Sequence, residues 1–227
     1  MKIRNLALLL MGVGLCIGGV STQAQTRILP LGDSVTSSMA PHLSYRYWLW
    51  HLLVNRGFDV DFVGTQWGVA NGAPADTDFD QNHEGHLGWT TIDAVQSINS
   101  IASATVPDIV LLDLGANDVG DGIPHGVSKT NLMTIIEALH AVNPGVVIVM
   151  ALPAPFVGQN RRGMSLLRDS IKRAAKAERR AGVRVGVVNL AAGFNPRRDT
   201  FDGTHPDESG EKKIARRYYN VLRKLLR

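Results

Sequence analysis

From residue 26 onward, apolar runs alternate with amphipathic stretches along almost the whole chain. Ile28-Leu29-Pro30-Leu31 is a short apolar run stopped by Gly32-Asp33-Ser34, the pattern of a strand ending in a turn. Ser44 to Arg56 carries Tyr45, Trp48, Leu49, Leu52 and Leu53 at helical spacing, with Gly57 as its stop. Val60-Asp61-Phe62-Val63-Gly64 reads as a second strand. Trp67 to His86 is rich in Gly, Asn and Asp and shows neither period. It is expected to be a long loop, and long loops in compact domains tend to carry function.

The alternation then resumes. Thr90 or Thr91 caps a helix running to about Ile101, and Pro107 to Gly115 is a near-continuous apolar strand, as found where both faces of a parallel sheet are covered. A helix from about Ser128 to Val142 turns Ile135, Ile136 and Leu139 inward. Val146–Leu152 is the fourth strand, Arg161–Ala181 a basic helix and Val183–Leu190 the fifth strand. A last helix over about Glu208–Leu226 is expected to bury Ile214, Tyr218, Val221 and Leu225. Strands and helices in this order form right-handed crossovers around a parallel sheet. The expectation is therefore an α/β fold: a three-layer α/β/α sandwich with a five-stranded parallel sheet. Its active site should lie beyond the carboxyl ends of the strands, where Gly32-Asp33-Ser34 and Gly115–Asp118 both fall. No repeat or linker divides residues 25–227.

The first 24 residues stand apart. Lys2 and Arg4 precede an apolar run from Leu6 to Val20, and Ser21-Thr22-Gln23-Ala24 supplies small residues before a cut. That is the pattern of a secretory signal peptide cleaved after Ala24. The run is too short and glycine-rich for a membrane span, so no stable membrane anchor is expected after cleavage. Cleavage leaves 203 of the 227 residues, removes the only cysteine, Cys16, and takes the formal net charge from +4 to +2. A secreted or periplasmic protein without cysteine must be held by its core alone. With 44% hydrophobic and 19% charged residues the composition is that of a globular domain. The modest charge and the lack of a recognition motif exclude nucleic acid as the expected partner.

Four stretches carry candidate chemistry. Ser34 follows a rigid strand, where its hydroxyl can face a cleft, although Gly-Asp-Ser alone is ordinary turn composition. Phe201-Asp202-Gly203-Thr204-His205-Pro206 places a carboxylate and an imidazole on one turn. Such a pair can activate a serine, and a helix-capping turn would use the same residues. Gly115-Ala116-Asn117-Asp118 and Glu84-Gly85-His86-Leu87-Gly88-Trp89 supply an Asn amide and a glycine N–H, the donor types of an oxyanion hole. Either alone would pass for a plain loop.

Together and in order, these blocks resemble the SGNH (GDSL-type) hydrolase family, over essentially the whole mature chain. Asp61-Phe62-Val63-Gly64-Thr65-Gln66, Asn82-His83-Glu84-Gly85-His86 and Gly88-Trp89 are similar to its carbohydrate esterase family 3 branch, the acetyl xylan esterases. The resemblance implies a flavodoxin-like fold and a catalytic triad of Ser34, Asp202 and His205. It implies an oxyanion hole from the Ser34 and Gly88 N–H groups and the Asn117 side chain. The implied substrate is an acetylated polysaccharide or another small acyl ester, with no cofactor.

Other residues read more plainly. His83 and His86 lack a further ligand at zinc spacing, so no metal is expected, and His86 and Trp89 are kept as substrate-binding candidates. Asp76-Thr77-Asp78-Phe79-Asp80 begins like a calcium loop, but Gln81 and Leu87 stand where that loop needs Gly and Glu. Asp199 has the wrong offset from His205 and is expected at the surface. The cations between Arg161 and Arg180 form a solvated face. The leading reading is a serine esterase that deacetylates cell-wall polysaccharide and prefers acetyl to long acyl chains. The alternatives are a lysophospholipase or arylesterase, a sugar O-acyltransferase, and a carbohydrate-binding module on a hydrolase scaffold. The last predicts a broken constellation, and every signature position here is filled.

Overall fold

The computed structural model describes residues 24–227. The leader expected over residues 1–24 lies outside the described residues, Ala24 excepted. Strand β1 (Thr26–Gly32) runs into the one-turn helix α1 (Ser34–Ser37), followed by α2 (Ser44–Val54) and β2 (Val60–Phe62). Two short strands come next, β3 (Gln66–Trp67) and β4 (Asn82–Gly85). Then come α3 (Thr91–Thr105), β5 (Ile109–Asp113), α4 (Ala116–Gly120), α5 (His125–Val142) and β6 (Val147–Leu152). The chain closes with α6 (Arg161–Arg180), β7 (Arg184–Asn189) and α7 (Glu208–Leu225).

The sheet order is β3-β4-β1-β5-β6-β7, with β2 also on β1, and every pair is parallel except β3–β4. The α/β/α fold and all five expected strands are present. The sheet has seven strands, because the region expected to be a featureless loop contributes β3 and β4. β2 and β4 share one side of β1: Thr26–Ile28 pairs with β2, and Leu31–Gly32 pairs with Glu84–Gly85. β4 escaped the hydropathy pattern because what it buries is polar, His83 and Glu84.

Apolar side chains cover both faces. On one, Leu29, Leu31, Val110 and Leu112 of the sheet meet Ile98, Ile135, Leu139, Leu167 and Ile171 of α3, α5 and α6. On the other, Ile28, Leu111 and Val149 meet Leu49 and Leu53 of α2 and Ile214, Tyr218 and Leu222 of α7. The inner face of α7 is therefore Ile214-Tyr218-Leu222, a strict i, i+4 row. The expected Leu225 is exposed and Val221 only half-buried. On α6, buried Met164, Leu167, Ile171 and Ala175 alternate with exposed Arg161, Arg162, Lys172, Arg173, Lys176, Arg179 and Arg180, as a solvated cationic face requires. No described helix is long and apolar enough to cross a membrane.

Candidate active site

β1, buried from Ile28 onward, holds the backbone up to Gly32, and Ser34 opens α1 immediately beyond it. A Cβ on Gly32 would lie 2.3 Å from Thr36 Oγ1 and 2.8 Å from the Asp113 carbonyl oxygen, so only glycine lets the turn close this tightly. Asp33 caps α1, its Oδ1 accepting from the Val35 N–H at 2.9 Å. Burial pushes the Asp33 carboxyl up to about 6. Asp113 pairs in register with Gly32, and burial, helped by the Asp33 charge, raises its carboxyl as well.

The Asp202–His205 turn arrives from the loop before α7. His205 Nδ1 lies 2.6 Å from Asp202 Oδ2, and Nε2 lies 3.1 Å from Ser34 Oγ. A carboxylate only accepts, so Nδ1 carries the proton and Nε2 is left to accept from the serine hydroxyl. Asp202 Oδ1 accepts from the backbone N–H groups of Thr204 (2.9 Å) and His205 (2.7 Å). Burial works to raise the Asp202 carboxyl, but these bonds and the imidazole outweigh it and hold it at about 2. Asp202 is thus an anion at neutral pH, fixed to the ring it orients.

Asp199 is not at the surface as expected; it is 2% exposed. It accepts from Lys213 Nζ at 2.7 and 2.8 Å, from the Asn195 N–H at 2.6 Å and from Ser209 Oγ at 3.2 Å. A carboxylate with that many donors can be buried, and it anchors the base of the turn: the Asp207 N–H donates to the Asp199 carbonyl. Asp199 has no bond to His205.

On the other side of Ser34, Gly88 sits in a turn at φ +74°, a conformation that strains any residue with a Cβ. That turn is pinned at both ends. The His86 N–H donates to the Gly32 carbonyl at 3.1 Å, and Asn117 Nδ2 donates to the Trp89 carbonyl at 2.9 Å. One amide hydrogen of Asn117 remains for a ligand. Behind it, buried Asp118 accepts from the Thr91 N–H (2.8 Å) and hydroxyl (2.6 Å), fastening α4 to the start of α3. Ser34 and Asn117 line one cavity of about 200 Å³ together with Asp33, Asp113, Ala116 and Phe156. The structure therefore brings together Ser34, Asp202 and His205 by direct bonds, and Asn117 with the Gly88–Trp89 turn.

His86 and Trp89, the substrate-binding candidates, are stacked on each other, with centroids 3.6 Å apart and planes at 12°. His86 Nε2 lies 2.6 Å from Glu84 Oε1. Glu84 is 1% exposed and also accepts from the Thr65 N–H and hydroxyl. The apparent calcium stretch is spent internally: Asp76 accepts from Tyr47 and Asp78, and Asp80 from the Phe62 and Asn82 N–H groups.

The sequence reading missed Arg46. It is 0% exposed and donates Nε to the Thr36 carbonyl, Nη1 to Gln81, and Nη2 to Ser37 and Gly68. One guanidinium thus joins the helix after Ser34 to both sides of the β3–β4 loop. The available signal was its place beside Tyr45, on the face of α2 that also holds Leu49 and Leu53.

The family model of the GDSL-like lipase/acylhydrolase family matches residues 31–213. Among solved structures, a carbohydrate esterase family 3 from Talaromyces cellulolyticus superposes with a TM-score of 0.78 at 27% identity, over 89% of this chain and 98% of that one. A family 3 carbohydrate esterase from Clostridium thermocellum has a TM-score of 0.76 at 31% identity, over 90% and 100% of the two chains. A multidomain esterase of Ruminococcus flavefaciens is 26% identical over 220 residues, 86% of this chain, which spans only 28% of that protein's length.

Proposed function

This chain belongs to the GDSL-like lipase/acylhydrolase family, a family of carboxylic ester hydrolases, and on that premise we propose that it is an exported serine esterase removing O-acetyl groups from xylan or a related cell-wall polysaccharide. The observation that carries the reading is the unbroken line Asp202–His205–Ser34, with bonds of 2.6 and 3.1 Å. Serine is a poor nucleophile until a base takes its proton. In the proposed mechanism His205 Nε2 removes the Ser34 proton as Oγ attacks the ester carbonyl carbon. Asp202 stabilises the imidazolium. The oxyanion takes hydrogen bonds from the Ser34 and Gly88 N–H groups and the free Asn117 amide hydrogen. Collapse expels the sugar alkoxide, which takes the proton from His205, and leaves an acetyl ester on Ser34. His205 then deprotonates water as it attacks that ester. The second tetrahedral intermediate collapses, the Ser34 Oγ–acyl bond breaks, Oγ takes the proton back from His205, and acetic acid leaves and ionises to acetate. No metal or cofactor has a part in this sequence.

Three features support acetyl and sugar. The similar solved structures at 27% and 31% identity are family 3 carbohydrate esterases. The cavity beside Ser34 is small, about 200 Å³, room that suits an acetyl group better than a long acyl chain. Between Gln66 and Gly88, the Gln66 side-chain oxygen and His86 Nδ1 have no partner among the described residues and Trp67 is exposed, a combination that suits hydroxyl-rich ligands better than lipid. Residues 1–24 read as an export leader, in keeping with a polymer substrate outside the cytoplasm.

The experiment is acetate release from acetylated xylan, beside kcat/KM on p-nitrophenyl acetate, butyrate and octanoate. Acetate from xylan and efficiency falling with chain length are expected. Efficiency rising with chain length and no acetate from xylan would replace this reading with a lipid esterase.

A further inference from the structure

A second cavity, of about 190 Å³, lies one turn of α1 away from Ser34. Ser37, Gln66, Trp67, His86 and Leu87 are among the residues that line it. Ser37 is three residues along a helix from Ser34, a rise of about 4.5 Å. Leu87 immediately precedes Gly88. The cavity therefore borders both the nucleophile's helix and the glycine turn without sharing any residue with the cavity beside Ser34.

Trp67 is 69% exposed and Leu87 46%. Exposing an indole forgoes the large burial gain that aromatic side chains bring to a fold, and the exposure here is not that of a loose loop. Trp67 pairs with Asn82 in the β3–β4 ladder. The next residue, Gly68, donates its N–H to the Gln81 carbonyl and accepts from the buried Arg46 guanidinium. The indole is thus held at the surface by a rigid edge.

The polar lining has hydrogen-bonding capacity to spare. Gln66 uses an amide hydrogen on Thr65, and its carbonyl oxygen takes no bond among the described residues. His86 turns Nε2 to Glu84, leaving Nδ1 without a partner among the described residues. The lining contains no Asp, Glu, Lys or Arg. His83, which also lines it, is kept neutral by burial, which depresses its imidazole to about 2. A carboxylate or phosphate would find no counter-ion here. A fatty chain would leave the Gln66 and His86 groups desolvated. A neutral, hydroxyl-rich ring with one apolar face meets both requirements.

We propose that this cavity is a saccharide subsite in which Trp67 stacks against a neutral pyranose unit of the substrate chain, while Gln66 and His86 hydrogen-bond its hydroxyls. The subsite rests on the polysaccharide reading above and extends it: the enzyme grips a backbone sugar away from the ester it cleaves. Its binding energy is available to oligosaccharides and not to p-nitrophenyl acetate.

The test is the ratio of kcat/KM on acetylated xylotetraose to kcat/KM on p-nitrophenyl acetate, in the wild type, Trp67→Ala and Trp67→Tyr. Loss of a stacking contact worth about 1.4 kcal/mol lowers the ratio about tenfold in Trp67→Ala, through KM. Trp67→Tyr keeps a ring and should recover most of it. A ratio unchanged in Trp67→Ala, or lowered equally in Trp67→Tyr, overturns the subsite while leaving the esterase reading intact. A wild type that hydrolyses p-nitrophenyl acetate but no acetylated saccharide overturns the substrate reading and the subsite with it.

Discussion

The two flanks of Ser34 solve the same positioning problem by opposite means. On one flank, the Asp202–His205 turn places its imidazole with bonds made inside four consecutive residues, at a surface where the Asp202 side chain is 40% exposed. On the other, the Gly88 turn depends on partners far away in sequence. Asn117 reaches the Trp89 carbonyl, Glu84 ties Thr65 to His86, and Arg46 gathers four carbonyls from three segments. A local turn can be specified by a handful of residues and exposed cheaply. A buried polar network stabilises only when complete, since each unpaired member costs a full desolvation penalty. Damage to the first flank should therefore appear in turnover, and damage to the second in stability as well.

The sharpest contrast comes from two neighbouring aspartates. Asp202→Asn should lower kcat by about 10⁴, since the amide leaves His205 in the wrong tautomer, with little change in Tm. Asp199→Asn should do the reverse, lowering Tm through the lost Lys213 pair while kcat falls far less. Similar kinetic losses in both would break the distinction between orienting and anchoring carboxylates. Next in size is Asn117→Ala. Removal of one oxyanion donor should lower kcat by about 10²–10³ with KM little changed. A raised KM at constant kcat would make Asn117 a ground-state binding residue.

Arg46→Lys keeps the charge but loses the fork. Leaving two of its four carbonyls without a donor should cost about 2–3 kcal/mol, a Tm lower by about 4–12 °C for a domain of this size. Wild-type Tm in this variant would show that the network does not carry the β3–β4 edge. The smallest effect concerns Asp33 and Asp113. Their folded carboxyls are raised, Asp33 to about 6, so the folded chain keeps protons that the unfolded chain releases above about pH 4. Their contribution to stability is greatest below that pH and is lost as pH rises, for Asp33 through about 6. Asp113→Asn removes part of this loss. Its Tm relative to wild type should be a few degrees higher at pH 7 than at pH 4, and a pH-independent difference would contradict the assignment.

The same contrast explains what could be read from the chain. β1, β5 and β6 are runs of buried Val, Ile and Leu, and their bounds fall within two residues of those expected. The Asp202-Gly203-Thr204-His205 turn was legible because its partners are adjacent in sequence. β4 was not, because His83 and Glu84 are buried by hydrogen bonding rather than by hydropathy. Arg46 and Asp199 were opaque for the same reason. A charged residue is buried only where distant donors or acceptors converge, and no local pattern records that convergence. The exposed Trp67 left no mark either, since its meaning lies in the cavity beside it.

The central claim is that Ser34 forms the acyl-enzyme. The most direct measurement is mass spectrometry of the protein after reaction with a fluorophosphonate. One adduct per chain, on Ser34, parallel to loss of activity and absent from Ser34→Ala, is the result expected. An adduct on another serine, or activity surviving in Ser34→Ala, would contradict it.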